Sequence, residues 1–323
     1  MSPDTWVSTD SDPTRLSERR PPQSLFPNWL MCIPFVVLHL APLAIIWTGV
    51  DLRSLLLCAA CYAFNVVGIT LGYHRYFSHR TYKTSRAFQF VLACLGCTAL
   101  QKGPLWWASI HRHHHRHSDT TEDAHSPVVN GFFWSHIGWI FAPDWNEGDP
   151  KSVRDLSRYP ELRWLERLHW LPPLLLATAC FLIGGWSGLV VGFFLSNLLS
   201  HHATFLVNSA CHLWGGRRYS TADHSRNNTL VALLTFGEGW HNNHHHYQSS
   251  ANQGFFWWEV DISYYLIRLL AAVGLVWDVR KTPLEKLRCE EPAGQPRNAM
   301  PPDCQLHIPT ITTSPAKTQS VAS

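Results

Sequence analysis

The chain has 323 residues and a formal net charge of +3, yet only 15% of its residues are charged, while tryptophan numbers 16 and histidine 20. Soluble domains carry about a quarter charged residues, so an ordinary water-soluble globule is excluded. The mean hydropathy of −0.09 is low for a membrane protein because polar ends and histidine clusters offset apolar runs, so local windows decide.

Residues 1–28 are polar, with Pro13, Pro21, Pro22, Pro27 and the pair Arg19-Arg20, and are expected to form a flexible arm. Trp29 to Thr48 and Ser54 to Tyr73 are uncharged runs of twenty residues each. Each can cross a hydrocarbon core of about 30 Å. Gly49-Val-Asp-Leu-Arg53 joins them into a helical hairpin. Phe88–Leu100 is apolar but only thirteen residues long, which predicts an interfacial or capping helix. A second hairpin is expected from Trp170 to Asn208, turned at Gly184-Gly-Trp-Ser-Gly188, with spans at about 170–184 and 187–208. The expectation is therefore an all-α integral membrane protein with four spans in one domain, 29–287, followed by a disordered tail, 288–323. Of 26 Lys and Arg, only Arg53 falls in a span or inter-span turn, which places both termini and the 74–169 segment on the cytoplasmic side. Nine cysteines include the pairs Cys58/Cys61 and Cys94/Cys97, whose apolar surroundings suit buried thiols rather than a metal knuckle. No nucleic-acid partner is expected.

Three histidine clusters adjoin the apolar runs: His74-Arg-Tyr-Phe-Ser-His79, His111-Arg-His-His-His115 and His241-Asn-Asn-His-His245. On a helix the i, i+3, i+4 spacing shares one face, so His111, His114 and His115 can converge on one site, as can His241, His244 and His245, while His113 points elsewhere. His74 and His79 lie about 140° apart on a regular α-helix, so they reach different metals or straddle a helix end. Asn208-Ser-Ala-Cys-His212 adds an i, i+4 pair. Nine imidazoles and one amide exceed one coordination sphere and suit two metals; iron, copper and zinc all accept such ligands. His39 and His169 read as packed groups, His201 and His202 sit in the last span as haem-ligand candidates without equally spaced partners on the other spans, and His125, His136 and His224 read as groups behind the ligands or on the surface near the clusters.

The order H-x₄-H, H-x₂-H-H, N-x₃-H and H-x₂-H-H, with Gly237-Glu-Gly-Trp240 leading into the last box, resembles the stearoyl-CoA-desaturase-like family of membrane fatty acid desaturases. The likeness covers roughly residues 29–280 and includes Gly72-Tyr-His-Arg75, Ser135-His-Ile-Gly-Trp139 and Asn208-Ser-Ala-Cys-His-Leu-Trp-Gly215. The resemblance implies four transmembrane helices under a cytosolic helical cap with a histidine-ligated di-iron site. It implies His74, His79, His111, His114, His115, His212, His241, His244 and His245 as iron ligands, with Asn208 acting through water. It also implies a bent acyl tunnel, expected here to involve Cys58, Tyr62, Trp107 and Phe205. Cys58 and Tyr62 precede His74 by about 24 and 18 Å of helix.

The chemistry implied is O₂-dependent insertion of a cis double bond, delta-9 by the resemblance, into a long-chain acyl-CoA or acyl-lipid. An unactivated methylene offers no acidic proton, so the cofactor must supply the oxidising power. Reducing equivalents are expected from a separate protein, a b-type cytochrome or a ferredoxin or rubredoxin with its reductase. Ala142-Pro-Asp-Trp-Asn146 stands where animal acyl-CoA members carry basic residues, which shifts weight toward an acyl-lipid. Two alternatives remain open: a membrane di-iron hydroxylase with the same ligands, and a histidine-rich metal transporter, which would need ligands within its spans.

Overall fold

The computed structural model describes residues 29–288, and within them the chain is mostly helical. The arm expected over 1–28 and all but the first residue of the tail expected over 288–323 lie outside the described residues.

Helix α1 (Trp29–Leu40) continues through a tighter 3₁₀ turn, Ala41–Ala44, into Ile45–Thr48 and stops at Gly49, whose φ of 68° an L side chain rarely adopts. Helix α2 (Leu52–Val67) starts at a reciprocal cap: the Ser54 N–H donates to Asp51 Oδ1 at 2.7 Å and the Asp51 N–H to Ser54 Oγ at 3.0 Å. Without a break it widens into a π-helix, Gly68–Ser78. Helix α3 (Arg86–Thr98) packs on that segment through small residues. A Cβ on Gly68 would fall 2.3 Å from the Leu95 carbonyl oxygen, and one on Gly72 would fall 2.9 Å from that of Leu92. Gly68→Ala is thus expected to destabilise the protein by about 1–3 kcal/mol through overpacking. Gly216, with open space around it, is the control. Thermal unfolding in detergent should show a lower Tm for Gly68→Ala than for Gly216→Ala, and equal values would refute the close approach.

Helix α4 (Pro104–His117) follows and packs on the π-helical segment. Glu166, on helix α5 (Pro160–Arg167), accepts from the Leu105 and Trp106 N–H groups and so satisfies the start of α4. Burial pushes that carboxyl up to about 7. Helix α6 (Leu171–Ser187) reverses at Gly185, φ 61° and ψ −149°, and the chain comes back through a π-helical stretch, Gly188–Leu195, into α7 (Ser196–Leu213). The two limbs touch where a Cβ on Gly188 would lie 2.2 Å from the Cys180 carbonyl oxygen. The turn therefore falls inside the expected Gly184–Gly188 stretch. The helices, however, outrun the expected span ends at Tyr73 and Asn208, because apolar length sets a span whereas hydrogen bonding carries the helix on.

Three further helices complete the functional frame: α8 (Thr229–Leu234), α9 (His241–His246) and α10 (Ile262–Ala272). A two-residue antiparallel ladder, Lys83–Thr84 with Val276–Trp277, ties the chain after the first histidine box to the end of α10. The main core joins the π-segment, α3, α4, α5 and α10 through Tyr73, Phe77, Leu92, Leu105, Leu162, Leu165 and Ile267. Elsewhere Ile46, Trp47, Leu52, Leu56, Leu175 and Leu182 are largely exposed, an apolar surface suited to lipid rather than water. Two helical segments, Leu52–Ser78 and Leu171–Leu213, are long and apolar enough to cross a membrane, the second being folded back at Gly185.

Candidate metal centre

The π-helix decides where the first box points. His79 donates its N–H to the His74 carbonyl, an i to i−5 bond that caps the wide turn. With more residues per turn than an α-helix, positions five apart come round to nearly the same face. The two rings sit 4.8 Å apart in one cluster. Of the two readings of this spacing, separate metals or a straddled helix end, the structure has the second.

The other boxes behave differently from the expected convergence on single sites. His111 and His115 join His74, His79 and His244, whereas His114 joins His212, His241 and His245. Each three-histidine box is therefore divided between two neighbouring clusters, of five and four imidazoles. The reason is that i, i+3 and i+4 share a face but fan out across it, and two centres lie side by side in front of that face. In the first cluster His74 Nε2 and His115 Nε2 lie 3.1 and 2.9 Å from His244 Nε2, while His79 Nε2 and His115 Nε2 lie 2.8 and 3.0 Å from His111 Nε2. In the second, His212 Nε2 is 3.0 Å from His241 Nε2.

Carboxylates stand behind the rings. Nδ1 of His114 faces Asp123 at 3.0 Å and Nδ1 of His212 faces Asp119 at 2.9 Å, while those of His245 and His74 meet Asp223 and Glu238. A carboxylate accepts, so each of these Nδ1 atoms carries the proton and each Nε2 turns a lone pair inward. Lone pairs crowded this closely repel unless a cation lies between them. His245 Nε2 is buried with no hydrogen-bond partner, which a hydrogen-bonded core would not tolerate. Burial, then the charge of neighbouring imidazoles, holds His79, His111, His115, His241 and His244 well below the usual histidine range, so these rings are neutral at physiological pH and able to bind a metal. Burial also opposes charge on His114, but Asp123 outweighs it and raises that pKa. Asp119 is held down to about 2 by its bond to His212 against the effect of burial. Four carboxylates also match the charge of two divalent cations. The donor set thus fits two metal ions.

These carboxylates went unrecognised in the sequence, although Asp119 and Asp123 lie just beyond the second box and Glu238 sits in Gly237-Glu-Gly-Trp240. Gln253 was likewise missed; its amide lies 3.3 and 3.4 Å from Nδ1 of His74 and His244. His125 is buried against His114, its ring 4.4 Å away, and forms a further potential ligand group with His114 and Asp123. His224 is half exposed beside Asp119. His113 faces the Glu122 carbonyl at 2.8 Å and stacks on His117, away from both clusters. His113→Ala is expected to keep at least about half of wild-type activity, as surface substitutions usually cost little. A product assay showing His113→Ala inactive while His114→Ala remains active would invert the register.

An apolar cavity of about 700 Å³ adjoins the first cluster and includes His111 in its wall. Trp107, Phe205 and Asn208 line it, together with Trp106, Ile110 and Trp139. Cys58 and Tyr62 lie elsewhere: Cys58 is buried within α2, and the Tyr62 hydroxyl donates to the Leu234 carbonyl. Cys61 Sγ meets Cys180 Sγ at 3.5 Å and Cys97 Sγ meets the Tyr73 hydroxyl at 3.1 Å.

Fold and site together define a helical protein, apolar on much of its surface, with two adjacent imidazole clusters able to hold metal ions beside an apolar cavity. The family model for fatty acid desaturases matches residues 52–277. The chain belongs to the fatty acid desaturase family and is an oxidoreductase. It is 41% identical over 246 residues to the palmitoyl-monogalactosyldiacylglycerol delta-7 desaturase of Arabidopsis thaliana, covering 75% of this chain and 64%, just under two thirds, of that protein. It is 38% identical over 264 residues to the sn-2 palmitoyl-lipid 9-desaturase of Nostoc sp. (strain 36), covering 79% of this chain and 91% of that one. To the acyl-CoA C20 delta-5-desaturase of Anemone leveillei it is 40% identical over 232 residues, covering 71% and 74%.

Proposed function

We propose that the chain is a four-span, membrane-embedded di-iron desaturase that places a cis double bond, delta-9, in a long-chain acyl group carried on a membrane lipid. The observation that carries this reading is the adjacency of the nine-imidazole centre and the apolar cavity, which share His111. His74, His79, His111, His115 and His244 would hold one iron, and His114, His212, His241 and His245 the other, with Asn208 acting through water. Two irons, when bound, supply the O₂-derived oxidising power that an unactivated methylene requires.

The chain's own residues do the rest. Asp119, Asp123, Asp223 and Glu238 fix the protons on Nδ1 of their histidines and so keep each Nε2 aimed inward. Trp106, Trp107, Ile110 and Phe205 present an apolar wall that excludes water and holds the acyl chain against the His111 side. The balanced reaction takes one acyl chain, O₂, two electrons and two protons to one alkene and two waters. A separate electron-donor protein, a b-type cytochrome or a ferredoxin or rubredoxin with its reductase, must therefore deliver electrons. Both termini and the metal centre are assigned to the cytoplasmic side, from the distribution of lysine and arginine.

An acyl-lipid is preferred over acyl-CoA as substrate. The Ala142–Asn146 segment itself carries no basic residue, and Ala142 and Trp145 are packed inside; the one ammonium beside it, Lys102, is engaged by the Asn146 carbonyl at 3.2 Å.

Expression in a host unable to make monounsaturated fatty acids, followed by lipid analysis that locates new double bonds, tests the reaction. A delta-9 alkene in glycerolipids is expected, and a hydroxylated product would move the chain to the hydroxylase reading. Purified active protein should contain about two irons per chain, nine imidazoles being too many for one metal. One metal per chain in fully active protein would refute the two-iron assignment.

A further inference from the structure

Three histidines outside the metal centre form a second polar structure. His39 on α1, His202 on α7 and His136 at the end of the short helix Phe132–His136 are linked in series. His39 Nε2 lies 3.1 Å from His202 Nε2, His202 Nδ1 lies 3.0 Å from His136 Nε2, and His136 Nδ1 lies 2.9 Å from Ser209 Oγ. One end sets the direction of the bonds between the rings. His39 Nδ1 is 2.7 Å from the Phe35 carbonyl oxygen, which can only accept, so Nδ1 carries the proton and Nε2 accepts. His202 then donates through Nε2 and accepts at Nδ1, and His136 donates through Nε2 and accepts at Nδ1. The single Ser209 hydroxyl proton serves either His136 Nδ1 or the Phe205 carbonyl, 2.8 Å from the same oxygen, so the three bonds from the Phe35 carbonyl to His136 are the ones whose direction is set.

Ionisable side chains among membrane-facing helices cost free energy and are retained where they serve a function. The three rings stand behind the cavity wall, and residues flanking them line it. Pro34, Phe35 and Leu38 of α1 line the cavity, as do Thr204 and Phe205 of α7, and Trp139 and Ile140 just beyond His136. Leu38 is 4% exposed, whereas Val37 and Leu40 are 48% and 56% exposed, so among the described residues α1 turns one face to the cavity and another outward. The Phe35 ring packs on His39 at 4.0 Å and the Phe205 ring on His136 at 5.7 Å, so the linked rings touch residues that shape the cavity. Pro34, inside α1, contributes no N–H to the helix and leaves its backbone most pliable there.

We infer that the His39–His202–His136 chain is a clasp that fixes α1 against α7 and thereby sets the cavity's shape, which makes its members specificity-determining positioning residues for acyl-chain length. The inference rests on the reading that the cavity takes the acyl chain. With the clasp broken, Phe35 and Leu38 are no longer held opposite Phe205, and the cavity widens on its α1 side.

The test compares wild type, His39→Leu, His202→Leu and His39→Gln in the same host, supplied with a mixture of saturated acids from myristic to arachidic. Iron content is measured alongside. Both leucine variants are expected to retain iron and to shift the ratio of longer to shorter products by about threefold or more, a modest fraction of what pocket shape can discriminate. His39→Gln places an amide oxygen where Nε2 accepts from His202 and is expected to restore the wild-type ratio. A wild-type profile in both iron-loaded leucine variants would overturn the clasp alone. So would an equal fall for every chain length, with or without loss of iron, since that marks structural support. A wild type that desaturates nothing overturns the acyl reading and the clasp with it.

Discussion

Alanine at His244 is expected to lower desaturation to below about one per cent of wild type, since removing even a partner behind a ligand costs 10–100-fold. Among the five rings of the first cluster, His244 is the one whose Nε2 lies within hydrogen-bond distance of both His74 and His115, on two different helices. Its ring is buried, and burial followed by the charge of neighbouring imidazoles keeps it neutral at neutral pH, the form that binds a metal. Deletion leaves four imidazoles and a void in front of α9. Product yield by lipid analysis and iron per chain should fall together. A His244→Ala protein retaining more than about a tenth of wild-type product with full iron would show that this ring is not a ligand.

The second large effect is expected behind the ligands. Asp223→Ala should weaken metal retention about 10–100-fold, the usual cost of losing a carboxylate that orients a metal-binding imidazole. The Asp223 carboxylate faces His245 Nδ1 and also accepts from the Ser225 hydroxyl and N–H. Burial alone would raise its pKa, but the bond and charge of His245 together with the two bonds from Ser225 outweigh burial and hold the carboxyl far below the usual range, so it remains an anion. Asp223→Asn keeps an oxygen acceptor for His245 and loses only the charge, so its effect should be intermediate. Iron retained against a chelator in the purified protein measures both variants. Identical retention in wild type, Asp223→Asn and Asp223→Ala would exclude a role for this carboxylate in holding His245.

Much of the centre was legible because box spacing is local chemistry. His111, His114, His115, His241, His244 and His245 declare themselves as a group by i, i+3, i+4 spacing, and the count of nine imidazoles already calls for two metals. The carboxylates were not legible in the same way. Asp119 reaches His212 across 93 positions, and Glu238 reaches His74 across 164, so neither pairing has a local signature. The histidine clasp was equally hidden: His39 reads singly as a packed residue, His136 as a neighbour of the boxes and His202 as a haem-ligand candidate without a partner, and only their meeting shows a chain.

The sequence by itself determined the apolar runs, the glycine-rich reversal at Gly184–Gly188, the order of the boxes and the off-face position of His113, because periodicity and turn chemistry are properties of neighbouring residues. Tertiary structure alone decided how the boxes divide. His79 joined His74 because close contact between Gly68, Gly72 and α3 accompanies a π-helix whose wider turn realigns residues five apart. His114 parted from His111 and His115 because Asp123 and α7 place a second centre at one edge of the α4 face. Cavity walls obeyed the same rule, taking Trp107 and Phe205 but not Cys58 or Tyr62, since which side of a helix faces a cavity is set by its neighbours and not by its own sequence.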